Sequence, residues 1–141
     1  MENPARDAVR EVHPITEQNI PRILIIDDDE SICRLITRSL DTKGYGCTIA
    51  NDAANARNEM KDHTFDLILC DVKMHGGSGI EVLQSIKKER PDIKVIMFTN
   101  YPYPQYRKKC MDLGADFFFA KATESDQIPV AVMGLIQESH D

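Results

Sequence analysis

The chain has 141 residues, 42% of them hydrophobic and 28% charged, with a formal net charge of −6. That length suits one domain with a sizeable core, and the composition is globular rather than disordered or fibrous. The acidic balance argues against nucleic-acid binding or a general affinity for anionic membrane, no apolar run approaches a membrane-spanning length, and the polar N-terminus lacks the apolar stretch of a secretory signal.

Residues 1–21 carry Pro4, Pro14 and Pro21 and no apolar period. They predict a flexible N-terminal arm, with a short docking helix over residues 5–12 as the alternative. One folded domain over residues 22–139 is expected to follow. Within it, apolar β-branched runs at 23–26, 46–49, 65–70, 93–98 and 116–120 alternate with helical patterns. Four of the runs show little alternation, as expected of parallel strands covered on both faces; the run at 46–49 is more polar and suits an edge.

Among the helical patterns, Ile32, Leu35, Ile36 and Leu40 recur at helical spacing. Residues 51–62 are Ala-rich and weakly patterned. Ile80, Leu83 and Ile86 mark a helix that stops before Pro91. Tyr103, Tyr106, Cys110 and Leu113 predict a helix beginning after Pro104, with Gly114 placed to end it. Ile128, Val132, Leu135 and Ile136 form the last stripe, with Pro129 in its first turn, where a missing N–H costs least. The sum is a (βα)5 chain, hence an α/β protein with an open, doubly wound parallel sheet. Cys33, Cys47, Cys70 and Cys110 form no close pair, so reduced thiols in a cytoplasmic protein are expected rather than a zinc or disulfide framework.

In such a sheet, ligands bind beyond the carboxyl ends of the strands. The first run is followed by Asp27-Asp28-Asp29, the third by Asp71, the fourth by Thr99 and Asn100, and the fifth by Lys121. Taken singly, each has a plain structural reading: an Asp run caps a helix, with Asp29 placed to do so, and a lone Asp, Thr or Lys decorates a turn or surface. Together they bring several carboxylates, a hydroxyl and an ammonium to one edge. Crowded carboxylates repel, and a hard divalent cation relieves the repulsion. A carboxylate can also act as nucleophile and become an acyl phosphate. The chemistry inferred is Mg2+-assisted phosphoryl transfer to an aspartate.

The segments ILIIDDDES, LILCDVKMHGGSGIEVL, VIMFTNY and GADFFFAKA resemble the receiver domain of response regulators, over nearly all of the chain beyond the arm. The resemblance implies a flavodoxin-like five-stranded sheet of order 2-1-3-4-5. It implies Asp71 as the phosphoacceptor; Asp28 as a direct Mg2+ ligand, with Asp27 acting through water; and the Lys73 carbonyl completing the metal site. It further implies Thr99 and Phe118 as switch residues and Lys121 as the partner of the phosphoryl group. Three positions depart from the family pattern: His75 and Ala122, where proline is common, and Asn100, where a small residue is usual. The sequence leaves the Lys121–Ala122 bond open between cis and trans. His75 is read as a solvent-facing loop residue, with titration or metal binding near the site as the alternative. Bulk at Lys73, Asn100 and Tyr101 is expected to shield the acyl phosphate from water.

The implied partners are a sensor histidine kinase or a histidine phosphotransfer protein, and a downstream protein met by the face of the fourth helix, fifth strand and fifth helix. The basic cluster Arg107, Lys108 and Lys109 is short and reads as a solvated helix face, so DNA binding is not expected. No output domain is recognisable. A receiver-like interaction module that takes no phosphate is the competing reading. A turnover phosphatase would need a second acid/base carboxylate and a substrate cap, and neither is visible. The chain is therefore expected to catalyse only its own phosphorylation and dephosphorylation.

Overall fold

The computed structural model describes residues 19–75 and 77–140. The predicted arm therefore lies outside the described residues up to position 18, as does the alternative helix over 5–12.

Five strands, β1 (Arg22–Ile26), β2 (Gly46–Ala50), β3 (Leu67–Asp71), β4 (Lys94–Thr99) and β5 (Phe117–Ala120), form one sheet in which every pairing is parallel. Their spatial order is β2-β1-β3-β4-β5, as expected, with the polar β2 at an edge. The connecting helices are α1 (Glu30–Asp41), α2 (Ala53–Asp62), α3 (Gly79–Glu89), α4 (Pro104–Asp112) and α5 (Ile128–His140).

Alternate strand residues serve two cores, because successive side chains of a strand point to opposite faces. Leu24, Ile26, Ile68, Cys70, Val95 and Met97 pack with Ala56 of α2, Leu83 and Ile86 of α3 and Cys110 of α4. Ile23, Ile25, Leu67, Leu69, Ile96 and Phe98 pack with Ile36 and Leu40 of α1 and Val132 and Leu135 of α5. This double covering is why the strands read as near-continuous apolar runs.

The helix stripes hold with two corrections. Leu35 is 61% exposed, and Cys33, Ile36 and Leu40 are the residues α1 buries; Tyr103 is 48% exposed and stands just before α4. Cys33, Cys70 and Cys110 are buried and Cys47 is half-buried, all as free thiols. Burial pushes Cys33 and Cys47 up to about 12 and Cys110 up to about 11, so they stay protonated. Gly114 closes α4 with a φ of 106°, a left-handed conformation that favours glycine.

Three elements are additions to the expected set, one of them a 3-10 turn over Ser125–Gln127. A two-residue hairpin pairs Lys73–Met74 with Gly77–Ser78, between β3 and α3. A single helical turn, Lys121–Glu124, begins directly at the end of β5. Among the described residues no helix is long and apolar enough to cross a membrane.

Candidate functional site

Strand register brings the predicted residues to one edge. Ile26 pairs with Cys70, so Asp27 and Asp71 follow side by side on the two central strands. Asp71 pairs with Phe98, and Thr99 pairs with Ala120, which places Lys121 one step beyond. Strand order reverses between β1 and β3, where a crevice opens beyond the strand ends.

Asp27, Asp71, Thr99 and Lys121 are the buried polar and charged residues among those described. Charged groups are seldom buried unless paired, and these are. Lys121 Nζ lies 2.7 Å from Asp27 Oδ2 and 3.2 Å from Asp71 Oδ2, and 4.9 Å from the centre of the Phe98 ring. The Asp27 contact is an ion pair rather than a well-angled hydrogen bond, so buried Oδ2 carries no hydrogen bond. Asp27 Oδ1 accepts from the Asp29 main-chain N–H at 3.0 Å, and Asp71 Oδ1 from that of Lys73 at 3.3 Å.

Burial and the neighbouring charge of Asp27 raise the Asp71 carboxyl to about 7, against the opposite pull of Lys121. Burial alone would lower the Lys121 ammonium, but its contacts with the two carboxylates raise it on balance. Lys121 is thus a fixed positive charge.

Local chemistry explains the supporting loops. Asp29 caps α1, accepting from the N–H groups of Ser31 and Ile32, a contribution of about 1 kcal/mol. Glu124 Oε1 accepts from the Ala120 N–H at 2.8 Å and ties the helical turn to the strand that presents Lys121. The Lys121–Ala122 bond is trans, as are all peptide bonds among the described residues.

A cleft of about 340 Å³ opens over these groups, lined among others by Asp28, Asp71, Lys73, Asn100, Tyr101 and Lys121. Lys73 Nζ stands 5.4 Å from the centre of the Tyr101 ring, across the cleft mouth. Thr99 is buried, with Oγ1 accepting from the Tyr101 N–H at 2.9 Å. Phe118 lies apart from the cleft, buried in the core beneath Arg107, whose guanidinium is 4.8 Å from the ring centre and donates to the Phe118 carbonyl. Of the basic cluster, Lys108 pairs with Asp112 one turn on.

One oxygen from each of Asp27, Asp28 and Asp71 lies within 4.8 Å of the others. The donors are all hard oxygens, and the buried Asp27 Oδ2 lacks a hydrogen bond. These residues fit a hard divalent cation such as Mg2+.

One contact of a residue already singled out, and one further participant, escaped sequence reasoning. The ring of His75 is exposed as expected, but its Nδ1 lies 2.9 Å from Asp28 Oδ2. The two residues are 47 positions apart, and no local signal joins them. Gly79 opens α3 against the back of Asp71: a Cβ there would lie 1.7 Å from the Asp71 carbonyl oxygen. A glycine at the first helical position after a loop was the available clue.

Fold and site together define a doubly wound α/β protein with an acidic, lysine-bearing crevice at its switch point. The chain belongs to the response regulator receiver domain family, whose model matches residues 23–133. It is 31% identical over 126 residues to the transcriptional regulatory protein ZraR of Escherichia coli K12, covering 89% of this chain and 28% of that protein. The chain thus spans little more than a quarter of that relative. Among solved structures it resembles a receiver domain protein from Methanospirillum hungatei, at 29% identity and a TM-score of 0.80, covering 86% of this chain and 97% of that one. It also resembles the response regulator TrrA of Thermotoga maritima, solved in complex with Mg2+ and BeF, at 31% identity and a TM-score of 0.73, covering 82% and 99%.

Proposed function

We propose that this domain accepts a phosphoryl group on Asp71 from a histidine kinase or histidine phosphotransfer protein, in the cytoplasm, and switches its protein contacts in response. The observation that carries this reading is the buried Asp71 carboxylate, set beside Asp27 and paired with Lys121 at the open end of the sheet.

In the transfer, an Asp71 oxygen forms a P–O bond as the P–N bond of the phosphohistidine breaks, and the electron pair leaves on the imidazole nitrogen. Asp27, Asp28, Asp71 and the Lys73 carbonyl would hold Mg2+, which supplies charge neutralisation at phosphoryl oxygens when bound. Lys121 keeps its positive charge and balances the phosphoryl group in place of the Asp71 carboxylate. The Thr99 hydroxyl exchanges its bond from Tyr101 for one to a phosphoryl oxygen, and that movement reaches Phe118 on the next strand. The downstream partner meets α4, β5 and α5, where Tyr103 and Phe117 are exposed. The chain's catalysis is confined to forming and hydrolysing its own acyl phosphate.

The test is intact-mass spectrometry after incubation with acetyl phosphate, with and without Mg2+, using Asp71→Asn as control. A Mg2+-dependent gain of one phosphoryl group, absent in the variant, is expected. No gain with several donors would favour an interaction module that binds partners unmodified.

A further inference from the structure

We infer that His75 is a positioning residue for the cation site, orienting Asp28 before the cation arrives; this rests on the Mg2+ reading above. Asp28 Oδ2 accepts two hydrogen bonds, both from His75: one from its main-chain N–H at 2.9 Å and one from ring Nδ1 at 2.9 Å. They join the loop after β1, which also carries Asp27, to the hairpin that follows β3, the strand that ends in Asp71. Both known bonds of Asp28 fall on one oxygen, which leaves Oδ1 for the cation. A carboxylate has no proton to give, so the ring proton sits on Nδ1 and Nε2 faces solvent.

Asp28 is the partly exposed member of the acidic trio, whereas Asp27 and Asp71 are buried. Its carboxylate would otherwise rotate freely, and the cation would have to order it. Groups that hydrogen-bond a metal ligand fix its orientation and raise affinity in this way. Proline, common at this position in the family, has no N–H and could make neither bond.

The experiment measures Mg2+ affinity by calorimetry on the unphosphorylated chain, for wild type, His75→Ala and His75→Asn, alongside the His75 tautomer by long-range 1H–15N NMR in metal-free protein. Loss of the ring donor is expected to weaken Mg2+ binding several-fold, up to about tenfold, the low end for such partners because the ring is exposed. Asn, whose side-chain amide N–H can occupy the Nδ1 position, restores most of the affinity. In an Asp28→Asn background the His75→Ala change has no further effect. The metal-free ring is the Nδ1–H tautomer. Wild-type affinity in His75→Ala, or an Nε2–H ring, would overturn the inference while leaving the cation site standing. No Mg2+ binding by the wild-type chain would overturn both.

Discussion

Lys121 Nζ stands 3.2 Å from Asp71 Oδ2, and this pairing does not keep the aspartate fully acidic. Burial and the charge of Asp27 outweigh the lysine and hold the Asp71 carboxyl near 7, above the ordinary 3.8. The folded state therefore binds this proton more tightly than the unfolded chain. The stability that follows is full below the ordinary carboxylate pKa and is lost as pH rises through about 7.

Replacing Asp71 with Asn removes the repulsion with Asp27, while Lys121 keeps Asp27 at 2.7 Å. Metal-free Asp71→Asn is expected to be more stable than wild type at pH 8 by on the order of 1–2 kcal/mol, with little difference at pH 4. Urea unfolding at the two pH values checks this. A variant less stable than wild type at pH 8 would show that the lysine, not the repulsion, dominates.

The same repulsion predicts cation stabilisation. A cation that binds only the folded state at about 100 times its Kd adds about 2.7 kcal/mol, seen as a Tm rise of roughly 10 °C. Mg2+ is expected to raise Tm at pH 8, and Asp28→Asn to shrink the effect. Equal shifts with K+ at matched ionic strength would assign the effect to screening instead.

Gly79 bears on the site through sterics. With a Cβ placed 1.7 Å from the Asp71 carbonyl oxygen, Gly79→Ala must displace either α3 or the strand end. A loss of about 3 kcal/mol is expected, with slower phosphorylation of whatever folds. Ala at Gly134, where a Cβ meets nothing within 4 Å, is the control and is expected to cost no stability. Similar behaviour of the two variants would refute the close-approach argument.

Lys73 and Tyr101 face each other across the cleft mouth at 5.4 Å. Truncating both, as Lys73→Asn with Tyr101→Ala, opens a water path to Asp71. The acyl phosphate is expected to hydrolyse several-fold faster, on the order of 1 kcal/mol in barrier. The decay of the phosphorylated mass after donor removal measures this, and an unchanged lifetime would deny the pair a shielding role.

The strand order was implied by the resemblance to the receiver family, whereas the two-sided burial and the four strand ends that carry Asp27, Asp71, Thr99 and Lys121 were legible in the residue pattern. Each depends on a short-range property: apolar runs of strand length, helical stripes between them, and the residue that follows each run. Parallel connectivity then has few arrangements, and all of them gather strand ends on one edge. What escaped depends on distances between loops. The Asp28–His75 contact, the Lys73–Tyr101 pair, the packing of Gly79 on Asp71 and the sharing of Lys121 between two carboxylates all join segments far apart in the chain. Leu35 shows the same limit on a smaller scale, since helical spacing admits it and only the direction of the sheet excludes it. Local pattern determined which residues arrive at the site; tertiary packing decided which of them touch, because loop side chains answer to neighbours that no periodicity records.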